Sequence, residues 1–528
     1  MKHAILWTAG CLAALSIHAQ NPTLSSSAEM DNRFPEGRYD KVLGADETGY
    51  YTMRVVGPIT NAETIVERYD PNMKWSGSVK IPGSSGDVTN AKMHRNTLLL
   101  HGKVLTFHDR FSKADGASYC TVVPYEMSGE ALQEMPLDKE VAEGYFKTPT
   151  FSVNLSPDGS KLVVMDEPVF AKGTSEKLRV KVFNTDGFKE IWSRDVALSN
   201  ESDRFPENDV AVDNQGNAFI YKHVKVGPKE HTYQLLTVTK EGFKAHKIDL
   251  QTYFPTDYKM AWDSDGALLI SGMLAPQGQS GTYWDRTWAL KANAGGILYN
   301  KVMPLSQTLL RGQLSEKLAT APNARLGDCK LRGVLSRKSG GFYLVAEQYK
   351  SSKTAVGQAQ PPVYEYALEF GGIFVVAVDA SGQELWTRFL PKKQAERTMD
   401  EERYFGSLAC QVVGDKLCLV WNYMAWETAP GIAYRFWADK TGAKINIDNV
   451  FTKNAVHPTL LTVLNGDGSL QFDEWTHASY PLGDLQKGNS FPMALDATIS
   501  FSDEKGLLVM SRMSGLPYKK YKLSRIGL

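Results

Sequence analysis

The sequence predicts an all-β chain, a β-propeller of seven or eight four-stranded blades, on three observations. Short apolar runs alternate with Gly, Asn and Asp turns, with little helical periodicity, and 44 glycines and 11% aromatic residues suit strands and tight turns. One hairpin plan recurs along the chain. A second hairpin plan lies between successive copies of the first.

The first plan is two apolar runs joined by a polar turn. It is seen in residues 151–165 (FSVNLSPDGSKLVVM), 210–221 (VAVDNQGNAFIY), 260–270 (MAWDSDGALLI) and 333–345 (GVLSRKSGGFYLV), and it continues in 409–420 and 460–472. Gly159, Gly216, Gly266, Gly340, Gly414 and Gly468 mark these turns, at steps of 57, 50, 74, 74 and 54 residues. Self-similarity at such a period is the mark of a repeat architecture.

The second plan is an apolar strand, Asp or Asn near Gly, often Trp, then another strand. Residues 180–194 (VKVFNTDGFKEIWSR) and 374–388 (FVVAVDASGQELWTR) show it best, and 65–79, 235–250, 288–303 and 434–447 are weaker copies. Two hairpins per period make one four-stranded blade, which must stack with neighbours to bury both faces.

Units fall near 41–81, 91–137, 151–198, 208–250, 259–305, 331–391 and 405–451, with further strands in 459–528. The propeller is thus assigned to 41–528, and the strand at 49–56 is expected to complete the last blade and close the ring. Insertions are expected at 306–330, with a short helix over 314–321, and at 351–362, read as a long loop. The charged run 392–403 reads as a connection between blades.

The N-terminus carries a separate message. Lys2 and His3 precede an uncharged apolar run over 4–17, and Ala19 offers a small residue for cleavage, so residues 1–19 read as a secretory signal peptide. The run is shorter than the roughly 20 residues that span a bilayer. Residues 20–40 are then a linker. A lipoprotein signal ending at Cys11 is the alternative, but Thr8 and the apolar sequence after Cys11 weigh against it. The expected location is the periplasm, the cell envelope or the extracellular space.

Lys+Arg and Asp+Glu both number 59, so the chain has no electrostatic footprint for nucleic acid or an anionic membrane. No later stretch is apolar enough to be a transmembrane helix. Four cysteines follow the signal: Cys120, Cys329, Cys410 and Cys418. A turn centred on Gly414 would set Cys410 opposite Cys418 and permit a disulfide, whereas a two-residue Gly414-Asp415 turn would offset them and forbid it.

The stretch Asp379-x-x-Gly382-x-x-x-Trp386 resembles the outer-strand repeat of quinoprotein-like and BamB-like propellers. No adjacent cysteine pair accompanies it, so quinone-dependent activity is not carried over and no cofactor is expected. Residues 341–349 (GFYLVAEQY), Tyr366, 371–379 (GGIFVVAVD), Trp386 and 391–394 (PKKQ) resemble secreted β-propellers of Bacteroidota. That resemblance implies a fold and an exported setting, and no activity.

No nucleophile elbow, HExxH, P-loop or EF-hand motif is present. Asp263-Ser264-Asp265-Gly266 lacks the later acidic ligand of a calcium loop and reads as a turn. His101 and His108 flank a Gly-Lys turn, with Asp109 next, and the two histidines could share a face, but a third metal ligand is not visible. Trp284, Asp285, Arg286, Trp426 and Glu427 fall in long loops and are weaker candidates.

The richest constellation follows the second strand of several blades: Asp166 and Glu167, His223, Glu347 and Tyr349, Asn422 and Tyr423, and Glu474 and Trp475. Carboxylates, amides and aromatics gathered on one face suit a carbohydrate or protein ligand, because aromatic faces stack while amides and acids fix polar groups. The functional expectation is a non-enzymatic binding or scaffold propeller that engages a protein or glycan through its channel face. The alternative is a propeller glycoside hydrolase or polysaccharide lyase using channel carboxylates.

Overall fold

Eight four-stranded antiparallel ladders stand among the described residues, and each has one neighbour on either side. The structure, a computed structural model, describes residues 22–28, 30–31, 38–56, 63–201, 207–225, 231–278, 283–356, 363–398, 406–422, 426–427, 433–437, 444–447, 459–471, 480–481, 493–503, 506–513 and 520–528. Residues 1–19, read above as a signal peptide, lie outside them.

Blade 1 is Arg38–Asp46, Gly49–Val56, Glu63–Tyr69 and Trp75–Ile81. Blade 2 is Asn90–Leu100, Lys103–Ser112, Ala117–Tyr125 and Met135–Val141, with Ser85–Asp87 added to its first strand. Blade 3 is Thr150–Leu155, Lys161–Glu167, Ser175–Asn184 and Lys189–Glu201, and blade 4 is Glu207–Val212, Ala218–Lys225, His231–Thr239 and Gly242–Ile248. Blade 5 is Tyr253–Trp262, Leu268–Pro276, Arg286–Asn293 and Gly296–Pro304.

Blade 6 is Cys329–Ser336, Phe342–Val356, Val363–Val378 and Glu384–Leu390. Blade 7 is Ala409–Val413, Lys416–Asn422, Thr459–Leu464 and Tyr480–Pro481. Blade 8 takes Met493–Asp503, Gly506–Met513 and Lys520–Gly527 from the C-terminal region and Thr23–Ser26 from the N-terminal region.

The core lies between the blades. Alternate side chains of a strand point to opposite faces, and here both faces are covered. In the second strand of blade 4, Ala218 and Ile220 pack toward blade 3, while Phe219 and Tyr221 pack toward blade 5. In blade 1, Tyr50 joins the seam with blade 8 and Tyr51 joins the seam with blade 2. Every one of the eight seams holds such a cluster. First strands touch one another around the ring, as 150–155 touches 207–212 and 253–262 touches 329–336, so they form the channel wall.

The six repeat glycines all adopt φ between 65° and 90°, the left-handed conformation that a tight turn requires and glycine supplies without strain. The recurrent tryptophan also has a local cause. Trp192 Nε1 donates to Gly216 O at 3.0 Å in the adjacent blade, and Trp386 Nε1 donates to Gly466 O at 3.0 Å. Each indole thus ties an outer strand to a neighbouring turn.

Several expectations need correction. Gly49–Val56 pairs within blade 1, and the closing strand comes from the supposed linker 20–40. There Thr23–Ser26 pairs with the last strand from Gly527 to Ser524, and Met30–Asp31 pairs with Tyr521 and Lys520. Residues 434–447 do not form the outer hairpin of blade 7. Ala433–Trp437 and Lys444–Ile447 join Trp426–Glu427 in a separate three-stranded sheet, and Thr459–Leu464 supplies the third strand.

In the 306–330 insertion two short helices form, Gln307–Gln313 and Glu316–Ala319, with the Ser306 hydroxyl accepting from Leu309 N. The expected loop at 351–362 is largely a ribbon arm, because the second strand of blade 6 runs on to Val356 and the third resumes at Val363. Gln394–Thr398 pairs with that third strand. Val413 faces Lys416 across a two-residue turn, so Cys410 faces Leu419 and Cys418 faces Gln411. The four described cysteines are free thiols.

Candidate functional site

Asp166, Glu167, His223 and Asn422 lie at or near the ends of second strands, and Glu347 and Tyr349 lie midway along the long second strand of blade 6. Those whose side chains are described do not converge on one ligand position. Each engages a neighbouring strand or the next blade. Tyr423, Glu474 and Trp475 fall outside the described residues.

Asp166 is fully buried at the seam between blades 2 and 3, facing Arg179 in register and lying near Asp138 and Glu140. Glu167 accepts from Asn208 Nδ2 at 2.8 Å, across the seam to blade 4. Burial raises the Glu167 carboxyl above its ordinary range. Beside it the buried Lys222 ammonium donates to Glu176 Oε1 at 2.7 Å and to Asn208 Oδ1 at 3.2 Å. His223 Nδ1 meets Glu207 Oε2 at 2.8 Å, its Nε2 meets His231 Nδ1 at 2.7 Å, and the ring stacks on Tyr233.

Glu347 is fully buried. It takes Arg332 Nε at 2.6 Å, Ser407 Oγ at 2.7 Å and the Lys392 ammonium. Burial works to raise its carboxyl, but Lys392 and Arg332 outweigh burial and hold it below the carboxylate range. Lys392 is pushed down to about 8 by its own burial, against the pull of Glu347. The Tyr349 ring packs on Phe370 and lies under Lys330 and Arg332. Asn422 grips blade 8 through Leu495, donating to its O at 2.8 Å and accepting from its N at 3.0 Å.

Four of the weaker candidates, His108, Asp109, Trp284 and Asp263, are packed as well, whereas His101 is exposed. His108 is buried against Thr106, with burial pressing its imidazole down to about 4, and Asp109 is paired with Arg95. Trp284 is buried and bridged to Leu326. Asp263 closes its turn and binds Lys291. Among the described residues, no group of three His, Cys, Asp or Glu side chains is placed to hold a metal ion.

A different set of residues lines open space. A cleft of about 590 Å³ lies along the first strands of blades 3, 4 and 5, walled by Asn154, Asp209, Tyr258, Lys259, Met260 and Trp262 among others. Asn154 is anchored by donating to Val210 O at 2.7 Å. The Tyr258 hydroxyl donates to Asp209 Oδ2, and burial together with Asp209 raises that phenol above its ordinary value. Tyr221 stands behind them, its ring 4.7 Å from that of Tyr258. Trp262 is braced edge-on by Phe219.

The cleft therefore presents a carboxylate, an amide, an ammonium and aromatic surface on rigid strands. Sequence reasoning missed it because these residues sit on first strands, where polar positions alternate with core positions. That alternation, as in Asn208-Asp209-Val210, was the available signal.

No protein-family model and no curated protein matches the chain. Solved structures do match, at low identity. The β-propeller domain of the Trilobed protease from Pyrococcus furiosus is 11% identical over 85% of this chain and 98% of its own, with a TM-score of 0.34. The Nup133 β-propeller domain of Vanderwaltozyma polyspora is 8% identical over 84% of this chain and 99% of its own, with a TM-score of 0.30. The endo-arabinase of Bacteroides thetaiotaomicron is 10% identical over 55% of this chain and 96% of its own, with a TM-score of 0.24.

Proposed function

We propose that the protein is an exported binding propeller that engages a glycan or a protein segment at its channel wall. Export is inferred from residues 1–19, whose basic start, apolar run and small residue fit a secretory signal. The observation that carries the binding reading is the cleft of Asn154, Asp209, Tyr258, Lys259 and Trp262, where polar groups of both signs stand beside aromatic surface.

Binding is favoured over hydrolysis by how the acids are used. Asp166 is buried between blades 2 and 3, Glu167 accepts from Asn208 of blade 4, Glu347 is enclosed by Arg332, Lys392 and Ser407, and Asp209 is tied to Tyr258. Glycoside hydrolysis by the usual route needs two carboxyl groups roughly 5–9.5 Å apart across the bond.

The test is to offer purified protein a glycan and peptide array, then measure affinity for the ligands retained and recover them for mass spectrometry. The expected result is saturable binding with the ligand recovered intact. Turnover of the ligand that D209N abolishes would overturn the reading in favour of a hydrolase or lyase.

A further inference from the structure

The seam between blades 2 and 3 holds more carboxyl groups than cations. Asp138 and Glu140, on the outer strand of blade 2, meet Arg179 and Lys181 on the third strand of blade 3. Lys181 Nζ lies 2.8 Å from Asp138 Oδ1, and Arg179 Nη1 lies 2.9 Å from Glu140 Oε2. Two cations are thereby matched to two carboxylates.

Asp166 is the surplus acid. It is fully buried, neither of its oxygens has a hydrogen-bond donor, and its nearest cation atom is Arg179 Nη1 at 4.0 Å. Glu140 stands within reach of it. Two ionised carboxylates are acceptors only and cannot bond to each other, whereas a proton on one makes the contact a hydrogen bond.

We propose that Asp166 carries a proton in the folded protein and that this proton locks the seam between blades 2 and 3, making it a pH-sensitive joint of the ring. Burial first, then Asp138 and Glu140, push the Asp166 carboxyl up to about 8. The other groups near the joint do not supply a cation. Cys120 is raised further by burial and stays a thiol, Asp109 is paired with Arg95, and Asp195 is exposed and bonded to Arg179 Nε at 3.2 Å.

The sign follows from linkage. A carboxyl whose folded value lies above its unfolded value of about 3.9 leaves stability intact at acid pH and erodes it as pH rises toward the folded value.

The test compares thermal melting of the wild type and D166N from about pH 3.5 to pH 9. Asparagine keeps the shape and cannot ionise, so the two should melt together near the unfolded value, at about pH 4 and below. The variant should then melt progressively higher until the gap levels off above about pH 8. A variant that melts lower than the wild type at neutral pH, or a gap that does not change with pH, would refute the lock.

A second measurement needs no substitution. Hydrogen exchange, corrected for its intrinsic pH dependence, should show protection at 135–141 and 161–167 falling between pH 6 and pH 9 relative to the reference strand 268–276. Equal behaviour of all three strands would also refute it.

Discussion

Glu347 shows how a single residue expected at the channel face can be structural. It is fully buried, with Arg332, Lys392 and Ser407 around it, so truncating it strands two cations in a site of low polarity. E347A should lose about 3–5 kcal/mol of unfolding free energy, the usual cost of breaking a buried pair from one side. Denaturant unfolding measures this, and a midpoint equal to the wild type would mean the cluster contributes nothing. Replacing Glu347 and Lys392 together by methionine should cost less than E347A, because one cation rather than two then loses its carboxylate.

The residue types at these positions were legible in the sequence; their partners were not. Periodicity places Asp166, Glu347 and Asn422 at strand ends, but whether such a group faces solvent or a neighbouring blade depends on the ring. Asn422 reaches Leu495, 73 positions away, and no local pattern encodes that contact.

At the scale of elements, the hairpins were the most readable feature. Gly, Asn and Asp turns have a local mechanism, and all six repeat glycines sit at positive φ. Gly341 illustrates how strict that requirement is. Its φ is +76°, and a Cβ there would lie 2.1 Å from Val378 O. G341A should therefore lower the melting temperature of the protein, while alanine at Gly414, whose φ is +65° with nothing within 4 Å, should be milder. Equal losses at the two sites would show that the close approach does not matter.

The closing strand was the element that sequence hid. Thr23–Ser26 is short and mostly polar, and its only cue is pairing with a strand about 500 positions later. Deleting residues 20–31 removes this ladder, the Ser26–Ser524 hydroxyl bond at 2.8 Å and the packing of Leu24 against the seam of blades 7 and 8. The expected loss is about 2–5 kcal/mol, from a handful of net backbone bonds plus partial leucine burial. The bared edge of 520–527 should also promote association. Calorimetry and size-exclusion chromatography would read both effects, and a monomer of unchanged melting temperature would contradict this role.

At the scale of the whole molecule, the ring follows from the alternation that makes every blade apolar on both faces. Blades of this kind have no stable free surface, so each must stack until the first meets the last. The eight seams, the part-buried bridge of Glu167–Asn208, the buried bridge of Asn422–Leu495, and the N-terminal strand all serve that closure. They also hold the first strands rigid. The channel wall can then keep Asn154, Asp209, Tyr258 and Trp262 in fixed positions before any ligand arrives, which is the condition for affinity without ordering cost.

Titration calorimetry of an array-selected ligand against the wild type, D209A, W262A and Y349A tests the channel-wall assignment most directly. The expected result is a loss of roughly tenfold or more in affinity for D209A and W262A, the worth of one buried polar or stacking contact, with Y349A close to the wild type. Wild-type affinity in both channel-wall variants, with binding lost in Y349A, would contradict it and place the site on the second strands.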